Sequence, residues 1–163
     1  MNGIDLTIPK GAIFSKDGKY RYALWRAWSR SRQSLMFIGL NPSTANGIMD
    51  DPTITRLMVR AGQAGFGSLL AGNLYALVSS NPKVLLEDGD AIGVETDEYL
   101  RRMIAMAGVV LCAWGSFPAA KERTMPVLEM VPVPLCLGTN GDGSPKHPLY
   151  ISYNVAMMRY NQV

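Results

Sequence analysis

The chain reads as an α/β protein: a three-layer sandwich around a central, mainly parallel four-stranded sheet, preceded by an N-terminal antiparallel hairpin. Three observations predict this class. Four short and almost continuous apolar runs, Leu35 to Leu40, Ser68 to Leu77, Val109 to Trp114 and Val133 to Leu137, have the length of strands covered on both faces. The segments between them carry apolar residues at helical spacing, so strands and helices alternate as βαβ units require. Ahead of the first run, Asp17-Gly18 lies between two strand-like stretches and marks a hairpin.

The elements follow in order. Ala12-Ile13-Phe14-Ser15 and Tyr20 to Trp25 flank the turn Lys16 to Lys19 and form the ribbon. After the first apolar strand, Asp51 is placed to cap a helix that has Pro52 at its first position. Ile54, Leu57, Met58 and Ala61 line its inner face, and Gly62 or Gly65 stops it. Thr96 is expected to cap a second helix with Leu100, Met103, Ile104 and Ala107 inward. A third helix is predicted from near Ser116 towards Met130, with a break at Pro126. A last helix is predicted over Ile151 to Tyr160. The whole chain, 1–163, is read as one domain, with the hairpin at 10–28 and the α/β core at 34–160. The ten methionines fall mostly at helical core positions and read as packing.

Composition narrows the function classes. A hydrophobic content of 48% with 18% charged residues fits a globular protein and excludes a disordered one. The net charge of +3 says little about nucleic acid, but its distribution says more. Lys10, Lys16, Lys19, Arg21, Arg26, Arg30 and Arg32 are clustered with one acid, Asp17, and with Phe14, Tyr20, Tyr22, Trp25 and Trp28 between them. Such a segment suits a phosphate backbone with exposed bases; a solvated face over a core stripe gives the same pattern. Cys112 and Cys136 sit in apolar runs and read as buried thiols, without the spacing of a metal site. No metal and no cofactor are expected. Met1 to Ile8 lacks the basic start and apolar stretch of a signal peptide. No apolar run reaches the roughly 18 residues of a membrane helix, so a cytoplasmic protein with no membrane partner is expected.

The residues that could carry chemistry lie in loops after strands, where open α/β sheets bind ligands. Gly39-Leu40-Asn41-Pro42-Ser43-Thr44 follows the first apolar strand directly. The Asn41 carboxamide can orient a water or read a base edge but has no titrating proton near neutrality. Asn-Pro also commonly starts a plain turn. His147, the single histidine, stands in the loop Lys146-His147-Pro148-Leu149-Tyr150. It can serve as a general acid or as a neutral donor to a developing oxyanion, or simply lie at the surface. Lys146 beside it is a candidate phosphate contact. Of the pair Asp50 and Asp51, Asp51 has a cap to make and Asp50 is the freer, yet Asp51 is the carboxylate near enough to Asn41 to activate water. Trp114 can stack on a planar ring or pack in the core. Asn73, inside an apolar run, is a pocket residue or an internal brace.

Taken in order, Arg21-Tyr22, Gly39 to Ala45, Asp50-Asp51-Pro52-Thr53, Gly72-Asn73-Leu74-Tyr75, Ala113-Trp114-Gly115 and Lys146-His147-Pro148-Leu149 resemble the small bacterial and phage family called domain of unknown function 1643. The resemblance runs from about Tyr20 to Tyr150. More distantly, the order Gly-x-Asn-Pro, Asn-Leu, Trp-Gly-Ser and His-Pro is similar to the uracil-DNA glycosylase superfamily. That resemblance implies Asn41 for positioning the attacking water, Asn73 for reading the base, His147 for stabilising the departing base and Leu149 as a wedge in DNA. Ser43 and Thr44 stand where that superfamily usually has an aromatic wall, and its late motif is shortened here to His147-Pro148-Leu149-Tyr150.

The expected function is hydrolysis of the N-glycosidic bond of a flipped modified or damaged base. Asn41, His147 and Asp51 are the catalytic candidates. Gly39, Leu40, Pro42, Ser43, Thr44, Asn73, Trp114 and Leu149 are the substrate-binding candidates, and Lys19, Arg21, Arg26, Arg30 and Lys146 the nucleic-acid contacts. DNA or nucleotides are the expected partners. The alternatives are an enzyme acting on free nucleosides or nucleotides, and a non-catalytic nucleic-acid-binding module.

Overall fold

The computed structural model describes residues 3–161. Seven strands form one mixed sheet: β1 (Lys10–Phe14), β2 (Arg21–Ala27), β3 (Ser34–Gly39), β4 (Ser68–Asn73), β5 (Val109–Cys112), β6 (Pro134–Cys136) and β7 (Met158–Arg159). Their order across the sheet is β1-β2-β4-β3-β5-β6-β7. The helices are α1 (Pro52–Gln63), α2 (Thr96–Met106) and α3 (Ala120–Leu128), with 3₁₀ turns at Pro82–Leu86 and Pro148–Tyr150.

The four apolar runs become β3, β4, β5 and β6, and all their mutual pairings are parallel. The sheet is nevertheless larger and more mixed than a four-stranded parallel one. The expected hairpin forms, but β2 also pairs antiparallel with β4, from Leu24↔Ala71 to Ala27↔Ser68. Residues 21 to 26 are all buried, so β2 is an interior strand. At the far edge β7 pairs antiparallel with β6.

The hairpin closes over a four-residue loop, with the Ser15 N–H donating to the Tyr20 carbonyl at 2.9 Å. Gly18 supplies a φ of +74°, a conformation that L side chains disfavour. Gly11 faces Trp25 across the ribbon. A Cβ at Gly11 would fall 2.0 Å from the indole, so the ring lies flat on bare backbone.

Alternate residues of the central strands enter two cores. Leu24, Leu35, Phe37, Leu69, Ala71 and Leu111 pack with Ile54, Leu57 and Ala61 of α1. Met36, Ile38, Leu70, Val110 and Cys112 pack with Tyr99, Leu100 and Met103 of α2 and Val127 of α3. Helices thus cover both faces, which is why the parallel strands are apolar throughout.

Asp51 caps α1 as its sequence predicts: its Oδ1 accepts the Ile54 N–H at 2.8 Å, with Pro52 following. The end comes at Ala64 and Gly65, the latter at φ +86°. Thr96 does not cap α2. Glu95 takes that position, and the Thr96 hydroxyl donates back to the Ile92 carbonyl in the segment before the helix. The third helix starts at Ala120, not Ser116, and Pro126 lies within it without breaking it. With Leu128 the last helical residue, only one backbone bond near the end is lost.

The helix predicted over Ile151 to Tyr160 does not form. Arg56 donates to the carbonyl oxygens of Pro148 and Ile151, and Arg60 to those of Ile151, Ser152 and Val155. Carbonyls captured by arginine from another element are drawn away from the bonds a helix would need. Tyr160 then turns inward, edge-on to Trp114 with ring centroids 5.9 Å apart.

Candidate functional site

The chain leaves β3 through α1 to β4 on one side, and later returns to β5 on the other. Connections of opposite sense leave a crevice at the carboxyl ends of the strands. The motif residues of the sequence gather there. Asn73 ends β4 beside Gly39, which ends β3. A Cβ at Gly39 would meet the Asn73 Oδ1 at 2.9 Å, so glycine is what admits this carboxamide. Asn73 is 6% exposed, and its carboxamide makes no hydrogen bond to a described residue. Its amide atoms are not among the buried unpartnered ones, so they stay accessible at the crevice.

His147 reaches the crevice from a separate excursion. Residues 138 to 146 fold back on themselves, with Thr139 bridging Pro145 and the Lys146 N–H donating to the Gly138 carbonyl at 2.9 Å. The Gly115 N–H then donates to the Pro145 carbonyl at 2.9 Å, which sets the excursion against the end of β5. Gly115, at φ +76°, leaves space there: a Cβ on it would lie 3.8 Å from the His147 Cβ. The His147 Nδ1 accepts the Leu149 N–H at 3.3 Å, which leaves the ring proton of the neutral form on Nε2. Burial lowers the pKa of the ring, and the Asp51 carboxylate opposes that shift.

Asn41 is braced. Its Nδ2 donates to the carbonyls of Ser79 at 2.9 Å, Leu77 at 3.3 Å and Pro42 at 3.1 Å. The amide is spent on holding the segment after β4, and Oδ1 is the atom left for a ligand or water. Among the described residues no hydrogen bond joins Asn41 to His147. Pro42 is buried, Leu40 and Ser43 are half-buried, and Thr44 is exposed. Trp114 is 2% exposed and packs on Tyr160, a core position and not an open stacking face.

Two of the expected nucleic-acid contacts lie inside the protein. Arg21 donates to the Ala45 carbonyl at 2.6 Å, and its Nε is buried with no partner. Burial pulls its pKa down to about 10, against the favourable charge of Asp51. Arg26 is 1% exposed and holds Asp50 and the carbonyls of Asn46 and Met49. Asp50 is therefore the ion-paired acid, where the sequence reading had it the freer of the two. Lys19 pairs with Asp88 at 3.2 Å, Arg30 is exposed, and Lys146 is half-buried.

An open cleft of about 480 Å³ is lined by Asp50, Asp51, Pro52, Thr55, Arg56, Leu149 and Tyr153. Leu149 is half-buried in this wall. Arg56 and Tyr153 were not singled out by sequence reasoning. Arg56 stacks over the Tyr153 ring at 4.2 Å while bonding the 3₁₀ turn that follows His147. The available signal was Arg56 and Arg60, four apart on one helix face.

Among the described residues no three metal-ligating side chains cluster, and no helix is long and apolar enough to cross a membrane. Neither the curated proteins nor the solved structures searched contain a match to this chain. A family model described as a protein of unknown function, DUF1643, matches residues 21–149. That span runs from Arg21 to Leu149 and takes in every motif of the crevice, and the chain belongs to this family.

Proposed function

We propose that the protein is a glycosylase-like hydrolase that cleaves the N-glycosidic bond of a nucleobase held in the crevice. The observation that carries this reading is Asn73, a largely buried residue at the crevice whose carboxamide bonds no described residue and keeps its polar atoms accessible. A planar acceptor and donor pair matches the amide edge of a base. His147 supports the same reading. As the bond from the sugar carbon to the base nitrogen breaks, its electrons pass to the base, and a neutral imidazole with its proton on Nε2 donates to the oxygen that becomes negative. Asn41, its amide fixed by the Leu77 and Ser79 carbonyls, presents Oδ1 to orient the attacking water. Asp51 is the carboxylate that takes the water's proton.

A second reading, action on a free nucleoside or nucleotide, is favoured by the burial of Arg21 and Arg26. With them inside, the hairpin loses two of its expected phosphate contacts. One experiment separates the readings. Single- and double-stranded oligonucleotides and free nucleosides bearing uracil, hypoxanthine, alkylated or hypermodified bases are incubated with the protein, and released base is detected by chromatography. Release from oligonucleotides supports the first reading and release from nucleosides alone the second. No release from any, with the fold intact, overturns both.

A further inference from the structure

We propose that the cavity at the amino ends of β3 and β4 is a phosphate site, separate from the crevice at their carboxyl ends. Ser34 opens β3, Ser68 opens β4, and the two are register partners. Both are buried, at 5% and 3% exposure, and their hydroxyls lie 2.6 Å apart. That bond uses one of two hydroxyl protons. The other has no acceptor among the described residues, although buried donors are almost always satisfied. Both serines line a cavity of about 210 Å³ together with Leu6, Ala27, Arg30 and Arg32.

The charge around this cavity fits an anion. Arg30 is held in place by donating to the Thr7 carbonyl at 2.8 Å. Arg32 makes no hydrogen bond or ion pair with a described residue and is exposed. The carboxylate whose charge reaches Arg30 is Asp5, which already accepts the Thr7 N–H at 2.8 Å. Guanidinium forks match phosphate oxygens in pairs, and a tetrahedral phosphate has a further oxygen for the spare hydroxyl proton. The apolar walls, Leu6 and Ala27, leave room for the carbon skeleton of an ester. Ser34 and Gly39 stand at opposite ends of β3, which spans about 17 Å at the usual strand rise, so this site and the crevice do not share a ligand atom.

The phosphate can belong to a small ester or to a nucleic-acid backbone, and the test distinguishes them. Backbone amide spectra of the full chain are recorded against inorganic phosphate, a deoxynucleoside 5′-monophosphate and single-stranded DNA, each with chloride at matched ionic strength as control. Saturable shifts are expected at residues 29–34 and at Ser68. They should weaken at least about tenfold in Arg32→Gln, as the loss of one charge-assisted hydrogen bond implies. Ser34→Ala should weaken them too, with the remaining spectrum unchanged. Saturation by the monophosphate without competition from DNA assigns a small ester; saturation by DNA at the same amides assigns the backbone. Absence of saturable shifts with all three ligands, or wild-type affinity in Arg32→Gln, overturns the proposal.

Discussion

Arg26 Nε lies 2.6 Å from Asp50 Oδ1, tying an interior strand to the residue just before the α1 cap. The same guanidinium donates to the carbonyls of Asn46 and Met49, so one buried side chain fixes the loop that brings Asp51 to the crevice. Removing one partner of a buried pair leaves an uncompensated charge. Asp50→Ala is expected to cost about 3 kcal/mol. Lys10 reaches the other Asp50 oxygen at 3.7 Å from a half-exposed position, and Lys10→Ala should cost less than about 1 kcal/mol. Urea unfolding of the two variants checks the contrast.

Asp51 serves two ends that substitution can separate. As the cap of α1 it is replaceable by asparagine, which also accepts the Ile54 N–H, so Asp51→Asn should lose only the charge that favours buried Arg21, while Asp51→Ala loses the cap as well, about 1 kcal/mol more. Its charge acts on His147 in the direction that raises the ring pKa. Asp51→Asn should therefore lower that pKa further. A proton resonance titration reads it without ambiguity, since the chain has one histidine.

The pH dependence of stability has a defined sign at His147. Burial places its folded pKa below the ordinary 6.5. As pH falls below 6.5 the unfolded ring takes up a proton that the folded ring resists, so stability drops until the folded pKa is passed and then levels off. Above 6.5 the ring is neutral in both states and contributes nothing. Thermal melts between neutral and mildly acidic pH, compared with His147→Gln, should show this loss in the wild type and a smaller one in the variant.

Much of the fold was legible because the apolar runs are short and bounded by caps. Asp51-Pro52 located α1, and continuous apolarity located β3, β4 and β5. What was not legible depends on partners far away in the chain. Arg21 and Arg26 look like surface charge in a basic segment, and only the folding of the 45–50 loop over β2 buries them. Ile151, Val155, Met157 and Tyr160 suggest a helix, but Arg56 and Arg60 bind the backbone first. A two-residue strand such as β7 leaves no periodic signal. At the site, His147 was legible as a histidine held between prolines, and Asn73 as a polar residue in an apolar run. The bracing of Asn41 was not, because its acceptors lie 36 and 38 residues further on.

Arg56 joins two functions that lysine cannot combine. Its guanidinium bonds the Pro148 and Ile151 carbonyls and lies over the Tyr153 ring. A point charge on a flexible stem lacks both the fork and the plane. Arg56→Lys should loosen the turn after His147, with faster hydrogen exchange at Leu149 and Ile151 and a stability loss of about 1–2 kcal/mol.

Asn73 offers the sharpest separation of stability from function. Its carboxamide holds no described residue, so Asn73→Leu, close to it in volume, should leave stability unchanged or raise it slightly. Base release, where the wild type shows it, should fall at least about a hundredfold, since a contact made to the reacting base is lost. Denaturation midpoints and release rates on the same preparation check both.

That Asn73 and His147 serve one ligand is best tested by titrating the protein with free nucleobases while following the Asn73 side-chain amide and the His147 ring in one spectrum. Both signals should shift with a single dissociation constant, and both shifts should vanish in Asn73→Leu. Shifts that stay separate, or that leave both side chains unmoved for every base, would contradict a shared base-binding crevice.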